Sequence, residues 1–234
     1  NSGDGIVTDG LVYYIDGYNT KSISGGVPGV FDLTKNNNKG DFSGPGSAGT
    51  IFSGDSLTFD GVTGFYQVNS TPSIDSFTTG LTVNIFVKFN DLPSINGEDY
   101  DSPLMKCTNF NWDDGFGFYI ENSSGEFSFF VNDYLTKASY VVGSGPQPLT
   151  NYCGVYDGSN VLLYKDGDLL VTGDALTANV INSGIQMNVG CGSDTTGASR
   201  FYSSSSVYVV MIYNRTLTPS EISSNHTMLN YRFR

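Results

Sequence analysis

Histidine, glutamate and cysteine are scarce in this chain, and long apolar runs are missing. The single histidine, His226, excludes a histidine-rich metal site and leaves any Ser-His-Asp or Cys-His arrangement dependent on one residue near the C-terminus. No apolar run reaches 18 residues, so insertion into a membrane is not expected. The cysteines form no Cys-x-x-Cys pair, and free buried thiols are expected at Cys107, Cys153 and Cys191.

Positive charge is also in short supply. Lysine and arginine together supply 11 residues against 23 aspartates and glutamates, which gives a net charge of -12 at pH 7. A balance of this sign repels phosphate, so nucleic acid and anionic membranes are not expected as partners. Nineteen of the acidic residues are aspartates, which favour turns, and the charge is therefore expected mainly in loops.

Glycine, aromatic residues and short alternating apolar runs are abundant instead. The 29 glycines and the 14% aromatic content favour turns and strands around a thick core. Residues 81–89 alternate with a period of two, which indicates a strand with one buried face, and Phe86 on the other face indicates partial cover there. Residues 122–125 and the pair Asp166-Gly167 have the composition of hairpin turns.

One helix is predicted near the C-terminus. Thr218, Pro219 and Glu221 form the pattern of a capping box, and nearby leucine and isoleucine residues can bury one helix face. No linker composition divides the chain. The sequence therefore predicts an all-β protein, a two-sheet antiparallel β-sandwich of about twelve to fourteen short strands with one short C-terminal helix. A single domain is expected over residues 1–234.

Five segments of the chain resemble a known family. They are, in order, GLVYYID (10–16), LTFDG (57–61), LTVNIFVKF (81–89), VYDGSNVLLYKDGDLL (155–170) and VVMIYNRTLTPSEISSN (209–225). These segments are similar to laminin-G-like, concanavalin A-like jelly-roll domains, which implies a jelly roll for nearly the whole chain. The last segment and the closing YRFR are similar to the ends of such modules in structural proteins of tailed bacteriophages.

The resemblance also bears on catalysis and on metal binding. Glycosidases of this shape place their carboxylates on one strand in an ExDxxE-like run, because two carboxylates must flank the sugar. None of the four glutamates lies in such a run, so the chain is not expected to be an enzyme, and a glycoside hydrolase is a remote alternative. Many cellular members carry an acidic pair where this chain has Tyr208 and Val209, so no role of that pair transfers.

Calcium is the one metal that the loops could bind, although no cofactor is required. Calcium prefers carboxylate and carbonyl oxygens on loops, whereas plain turn formation is the stronger alternative for aspartates in such positions. The candidate ligands are Asp16, Asp60, Asp99 and Asp101.

Ligand binding is predicted for one loop. An aromatic ring among amides and carboxylates is typical of a carbohydrate platform, and the alternative is that Trp112 only plugs the rim of the sandwich. Asn132 and Tyr134, from another predicted loop, are candidates for the same surface. The residues of the predicted site are Asn111, Trp112, Asp113, Asp114, Asn132 and Tyr134.

These observations favour a non-enzymatic, surface-displayed module. The leading hypothesis is a virion structural protein, for capsid decoration or tail association, with other virion proteins as partners and weak binding to host-surface glycans. The alternative is a carbohydrate-binding or adhesion module of a bacterial extracellular protein. The expected localisation is the virion surface, or extracellular in the alternative, and an oligomer fits either hypothesis.

Overall fold

A computed structural model describes residues 5–23, 29–42, 48–93, 97–108, 112–193 and 198–233. The described residues form seventeen strands, a helix α1 (Pro219–Asn230) and a 3-10 helix (Tyr231–Phe233). The strands are β1 (Leu11–Asp16), β2 (Gly40–Asp41), β3 (Thr50–Ser53), β4 (Ser56–Asp60), β5 (Tyr66–Val68), β6 (Leu81–Phe89), β7 (Tyr100–Lys106), β8 (Phe116–Glu121), β9 (Glu126–Val131), β10 (Asp133–Val141), β11 (Thr150–Tyr156), β12 (Asn160–Lys165), β13 (Asp168–Ala175), β14 (Met187–Val189), β15 (Gly192–Ser193), β16 (Ser199–Arg200) and β17 (Ser204–Tyr213).

Two antiparallel sheets contain most of these strands. The first sheet has the order β13-β12-β11-β6-β17-β4-β3, and β1 pairs with the second half of β17, beyond the part that pairs with β4. The second sheet has the order β10-β9-β8-β7-β14-β5-β2, and β15 pairs with β16 apart from both. The predicted two-sheet antiparallel β-sandwich with one C-terminal helix is confirmed, with more short strands than the pattern of the sequence indicated.

Alternate residues of each strand fill the space between the sheets. Leu81 and Ile85 of β6 point into this core, where they join Phe118 of β8 and Phe129 of β9. In β11 the residue that faces Phe129 is Gly154, and an added Cβ at that position would lie 2.2 Å from Cγ of the ring. The close approach of the two sheets therefore requires a glycine at this point.

The outer face of the first sheet is covered by α1. Phe86 points to this face and is buried, with its ring stacked on His226 at 6.0 Å between centroids. Leu217, Ile222 and Leu229 complete the apolar contact between the helix and the sheet. The predicted cover over Phe86 and the predicted apolar helix face are both confirmed.

The hairpin turns and the cap of the helix formed as the sequence predicted. Asp166 and Gly167 both have positive φ, 52° and 91°, and connect β12 to β13, while residues 122–125 connect β8 to β9. Thr218 caps α1, and the side chain of Glu221 bonds back to the backbone N–H of Thr218 at 2.8 Å. Two hydrogen bonds from Arg215 hold the Glu221 carboxylate, and they lower the pKa of Glu221 to about 2.

The outer face of the second sheet carries its own apolar cluster. This tryptophan cluster consists of Met105, Cys107, Trp112, Tyr119, Phe130 and Phe201, with Tyr100 and Tyr134 packed against it. Trp112 and Phe201 lie outside the ladders of the second sheet, and their side chains pack over it. Both sheets are therefore covered on parts of their outer faces, which is why so many of their strands are buried on both sides.

Two segments that were expected in loops are strands. Tyr134 lies in β10, because Asn132 adopts a positive φ of 66° and turns the chain directly out of β9. Asp101 lies in β7, a strand whose sequence contains Pro103 at an irregularity in its pairing with β8. A proline inside a run argues against a strand unless a bulge accommodates it, as it does here.

All three cysteines are buried, and burial raises the pKa of each thiol. Within the described ranges, α1 and the short turn after it do not provide a helix that is long and apolar enough to span a membrane.

Candidate functional site

The described part of the predicted ligand loop, from Trp112 onward, lies on the outer face of the second sheet. The side chain of Trp112 is only 4% exposed, and its ring stacks on Phe130 with 5.9 Å between centroids. Tyr100 and Phe201 approach the same ring edge to face, each at 5.3 Å, and Nε1 donates to the carbonyl oxygen of Ser193 at 3.2 Å. In this arrangement the ring plugs the sheet face and offers no open face to a sugar.

The polar groups beside Trp112 hold the neighbouring backbone. The Asp114 carboxylate accepts hydrogen bonds from the backbone N–H of Thr108, at 2.7 Å, and from its hydroxyl. The Asn132 side chain accepts a bond from the N–H of Ile181 at 2.6 Å and donates one to the carbonyl of Asn179 at 2.8 Å. These contacts account for both side chains without a ligand.

The remaining members of the predicted site are placed differently. The backbone N–H of Tyr134 donates to the carbonyl of Trp112 at 3.1 Å, so those two residues are brought together. Asp113 is exposed beside them, and Asn111 lies outside the described residues. Ligand binding by this loop stays a prediction, and its ring does not contribute the platform on which that prediction rested.

Three of the four candidate calcium ligands, Asp60, Asp99 and Asp101, lie in different surroundings. Asp60 ends β4, and its carboxylate accepts hydrogen bonds of 2.8 Å from three successive backbone N–H groups, those of residues 62–64. Burial alone would raise the pKa of Asp60, but these bonds outweigh it and the pKa is lowered. Asp99 is exposed, whereas Asp101 is buried in β7. Across the described ranges, no three His, Cys, Asp or Glu side chains come close enough to hold a metal ion, so calcium binding stays a prediction.

Asp16, the fourth candidate, belongs to an ion pair. Its carboxylate is 1% exposed, accepts hydrogen bonds from the Tyr14 hydroxyl at 2.9 Å and the Tyr18 backbone N–H at 3.1 Å, and pairs with Arg232. Burial and the Asp16 carboxylate both raise the pKa of Tyr14, which therefore stays protonated. Burial alone would lower the pKa of Arg232, but Asp16 outweighs it and the guanidinium stays charged.

This ion pair lies in an open groove where the two ends of the described chain meet. One part of the groove, with a volume of about 610 Å³, is lined by Ile6, Tyr14, Asp16, Tyr18, Asn19, Thr20, Met228 and Arg232, with Gly5 at its edge. A second part of about 680 Å³ shares Ile6, Tyr14 and Asn19 with the first and continues to Lys21, Leu33 and Lys35. We call the two parts together the terminal groove.

The fold dictates which side chains reach the terminal groove. In β1, Tyr13 and Ile15 point into the core, so Tyr14 and Asp16 point to the opposite face. Arg232 arrives from the 3-10 helix after α1, at the other end of the chain. Because Asp16 is buried beneath the arginine, it fixes the position of the guanidinium without reaching solvent itself.

The groove combines the groups that carbohydrate recognition uses. Tyr18 is 63% exposed and Tyr14 is half-buried, so ring surface is available, while the side-chain amide of Asn19 and the hydroxyl of Thr20 can bond to sugar hydroxyls. The Arg232 side chain is 38% exposed and adds a fixed positive charge. A smaller pocket of about 290 Å³ at the β8–β9 turn has neither aromatic nor charged residues in its described lining.

Sequence reasoning identified only one member of the terminal groove. Asp16 was a candidate, but as a calcium ligand. The signal for Tyr18 and Asn19 is their position directly after β1, at the start of a polar stretch that is rich in glycine and asparagine and too long for an ordinary connection. No local pattern could connect Arg232 to Asp16, because 216 positions separate them.

The comparisons with known proteins concern the fold. Residues 60–223 match the concanavalin A-like lectin/glucanases superfamily. No curated protein matches the sequence. Among solved structures, the Trypanosoma rangeli sialidase in complex with 2,3-difluorosialic acid is similar at 16% identity with a TM-score of 0.64, over 95% of this chain and 33% of that one.

Two botulinum neurotoxin structures are similar as well. The serotype G binding domain has 13% identity and a TM-score of 0.68, over 93% of this chain and 51% of that one. The neurotoxin DC binding domain in complex with SialylT has 10% identity and a TM-score of 0.63, over 95% of this chain and 52% of that one. The chain thus spans a third of the sialidase and about half of each toxin domain, and at these identities the likeness is one of fold.

Proposed function

Since the chain belongs to the concanavalin A-like lectin/glucanases superfamily, we propose that it is a carbohydrate-binding module that uses the terminal groove and has no catalytic activity. The observation that carries the proposal is the arrangement around Arg232. A buried carboxylate fixes this arginine, and an exposed tyrosine ring lies in the same groove. Such a prearranged set of ring and polar groups lowers the entropic cost of ordering a saccharide.

The similar structures support carbohydrate as the ligand class. The sialidase was solved with 2,3-difluorosialic acid and the toxin domain with SialylT, so proteins that contain this fold accept saccharides. The terminal groove is open rather than enclosed, and its two parts can accommodate several sugar units. An open groove of this kind suits an oligosaccharide better than a small apolar molecule, which requires a largely enclosed apolar pocket.

The chemistry of the groove argues against glycoside hydrolysis. Hydrolysis requires two carboxylic groups on opposite sides of the scissile bond. In the described lining of both groove parts, Asp16 is the only acidic residue, and its oxygens are bound by Tyr14, Tyr18 and Arg232. His226 of α1 stacks on Phe86 of the first sheet and is not among the described residues that line the groove.

The glycan-binding proposal is tested with a glycan array that includes sialylated and neutral saccharides. We expect Tyr18→Ala to reduce binding about fivefold, since one ring contact contributes about 1 kcal/mol, with little change in melting temperature. Tyr231→Ala is the matched control, because Tyr231 is 82% exposed and does not line the groove. Equal binding by wild type and Tyr18→Ala, or equal losses in both variants, would refute the use of this groove.

Absence of catalysis is tested separately. The protein is incubated with the saccharides that it binds, and new reducing ends are measured over time. We expect none with either the wild type or Asp16→Asn. Hydrolysis by the wild type that Asp16→Asn abolishes would instead make Asp16 a catalytic acid.

We also propose that the module is displayed on an exterior surface, with the virion as the first candidate and a bacterial extracellular protein as the second. Support for the virion comes from the tail segment, which is similar to the ends of bacteriophage structural modules. In this chain Arg215 and Glu221 of that segment form part of the cap of α1, and Leu217 packs in the cluster between α1 and the first sheet. Display on the virion is tested by labelling purified virus particles with an antibody against this protein and viewing them by electron microscopy. Unlabelled particles would favour the extracellular alternative.

A further inference from the structure

Positive charge is concentrated in the terminal groove although the chain as a whole is acidic. The chain has only 11 lysines and arginines and a net charge of -12. Three of these residues, Lys21, Lys35 and Arg232, line the groove. Asp16 is the one acidic residue in the described lining, so the lining residues carry a net positive charge, opposite in sign to that of the molecule.

The lysines of the groove also form no ion pair with a described residue. Among the described cations, six form salt bridges with aspartate or glutamate: Lys39, Lys106, Lys137, Arg200, Arg215 and Arg232. Lys21 and Lys35 form none with any described residue and are exposed. The part of the groove that they line has no described carboxylate in its lining, so their charges are available to a ligand.

Two acidic groups beside the groove, Asp16 and Asp32, already have partners. Asp16 is buried and forms an ion pair with Arg232, whose side chain stays 38% exposed. Asp32 lies just ahead of Leu33, but it is buried and accepts hydrogen bonds from Tyr14, Thr34 and Asn38 rather than from either lysine. A guanidinium has five N–H donors, and Asp16 and Tyr14 use only some of those of Arg232.

We propose that the terminal groove selects acidic saccharides, in which carboxylate or sulfate groups pair with Arg232 at one end and with Lys21 and Lys35 at the other. This inference rests on the proposed carbohydrate-binding function. Tyr14 lies between the two ends and belongs to both groove parts, so a sugar ring in contact with it can place charged substituents on either side. Charge-assisted hydrogen bonds of this kind are stronger than those to neutral hydroxyls.

The overall acidity of the protein does not oppose this selection under physiological conditions. At about 0.15 M salt the Debye length is about 8 Å, so aspartates in distant loops are screened while cations in contact with the ligand are not. The acidity instead disfavours non-specific binding of polyanions elsewhere on the surface. Selectivity should therefore depend on the groove and not on the total charge.

The test compares immobilised polysaccharides of different charge chemistry at about 0.15 M salt. Polygalacturonate carries carboxylates, heparin carries sulfates as well, and dextran is neutral. We expect the wild type to bind polygalacturonate or heparin and not dextran, and preference between the two acidic polymers identifies the charged group. Lys21→Gln with Lys35→Gln should weaken that binding at least about fivefold, by loss of two ligand contacts.

A charge-matched control removes the effect of net charge. Lys88→Gln with Lys165→Gln also removes two positive charges from lysines that form no salt bridge with a described residue, but neither lysine lines the groove. Unchanged binding by this control supports selection by the groove, and an equal loss overturns it. Binding of neutral and acidic polymers alike would overturn the inference but leave the proposed function standing. Failure to bind any saccharide, on these polymers and on the array, would overturn both.

Discussion

Replacing Trp112 with alanine distinguishes a core residue from a sugar platform. The ring is almost fully buried among Tyr100, Phe130 and Phe201 and donates one hydrogen bond to Ser193. If these contacts stabilise the fold, then the variant should lose stability whether or not a saccharide is present. If the ring were instead a sugar platform, its replacement would reduce the affinity for the saccharide and leave the stability of the protein unchanged.

The expected loss follows from the buried area. An aromatic side chain of this size buries roughly 200 Å², and at about 25 cal/mol per Å² this amounts to about 5 kcal/mol as an upper value. Measured losses for buried aromatic residues replaced by alanine are about 3–5 kcal/mol. We therefore expect Trp112→Ala to lower the free energy of unfolding by about 4 kcal/mol. In a domain of this length that lowers the melting temperature by roughly 8–16 °C.

The assay can use the fact that Trp112 is the only tryptophan. In the wild type, urea unfolding followed by tryptophan fluorescence reports on the tryptophan cluster, and far-UV circular dichroism reports on the sheets. Coincident transitions would show that the cluster and the sandwich unfold together. Circular dichroism then measures Trp112→Ala, with Tyr231→Ala as a control whose 82% exposed ring should contribute little.

A loss of less than about 1 kcal/mol in Trp112→Ala would refute this reasoning, since it would leave the ring without the packing energy assigned to it. Trp112→Phe provides a second measure. It keeps an aromatic ring but removes the Nε1 donor, and we expect it to cost about 1–2 kcal/mol. If both variants kept full stability and lost saccharide binding, then the loop and not the terminal groove would be the binding site.

Three further predictions concern other parts of the fold. The Glu221→Gln variant should be less stable than the wild type by about 1 kcal/mol at neutral pH. Because the pKa of Glu221 in the folded protein is lowered to about 2, this difference should disappear as the pH falls from about 4.5 to about 2. Urea titrations that show the same difference at every pH would contradict the prediction. Asp75→Ala should cost about 3–5 kcal/mol, because it removes the carboxylate at 2.7 Å from the buried amine of Lys106 and leaves that charge only neutral partners, and adding Lys106→Met should restore much of the loss in thermal unfolding. Gly154→Ala should cost about 1–3 kcal/mol or more, because its methyl group would clash with Phe129, and a neutral effect in calorimetry would show that the sheets can move apart.

The features that the sequence predicted are those determined by near neighbours. The turn at Asp166-Gly167 depends on two residues that accept positive φ, and the cap of α1 depends on Thr218 and Glu221, three positions apart. The strand over 81–89 shows its period because its two faces differ in composition. In each case the physical cause lies within a few residues of the element that it determines.

The features that the sequence did not predict depend on residues far apart in the chain. Whether Trp112 is a platform or a plug is decided by Tyr100 and Phe201, which cover the ring from other segments. β10 was not predicted because its exposed and half-buried residues show no clean alternation. The terminal groove could not be found at all, since Asp16 and Arg232 meet only after α1 has packed on the first sheet.

The meeting of the two chain ends has a practical consequence for any binding measurement. The side chain of Asn225 accepts a hydrogen bond from Val7, and Ile6 and Arg232 both line the terminal groove. A dye, affinity tag or surface anchor attached ahead of residue 5 or after residue 233 would therefore start beside the proposed binding site. A label on Ser123, at the turn between β8 and β9, lies outside the groove lining and would leave the groove accessible. Immobilising the saccharide instead of the protein avoids the same interference.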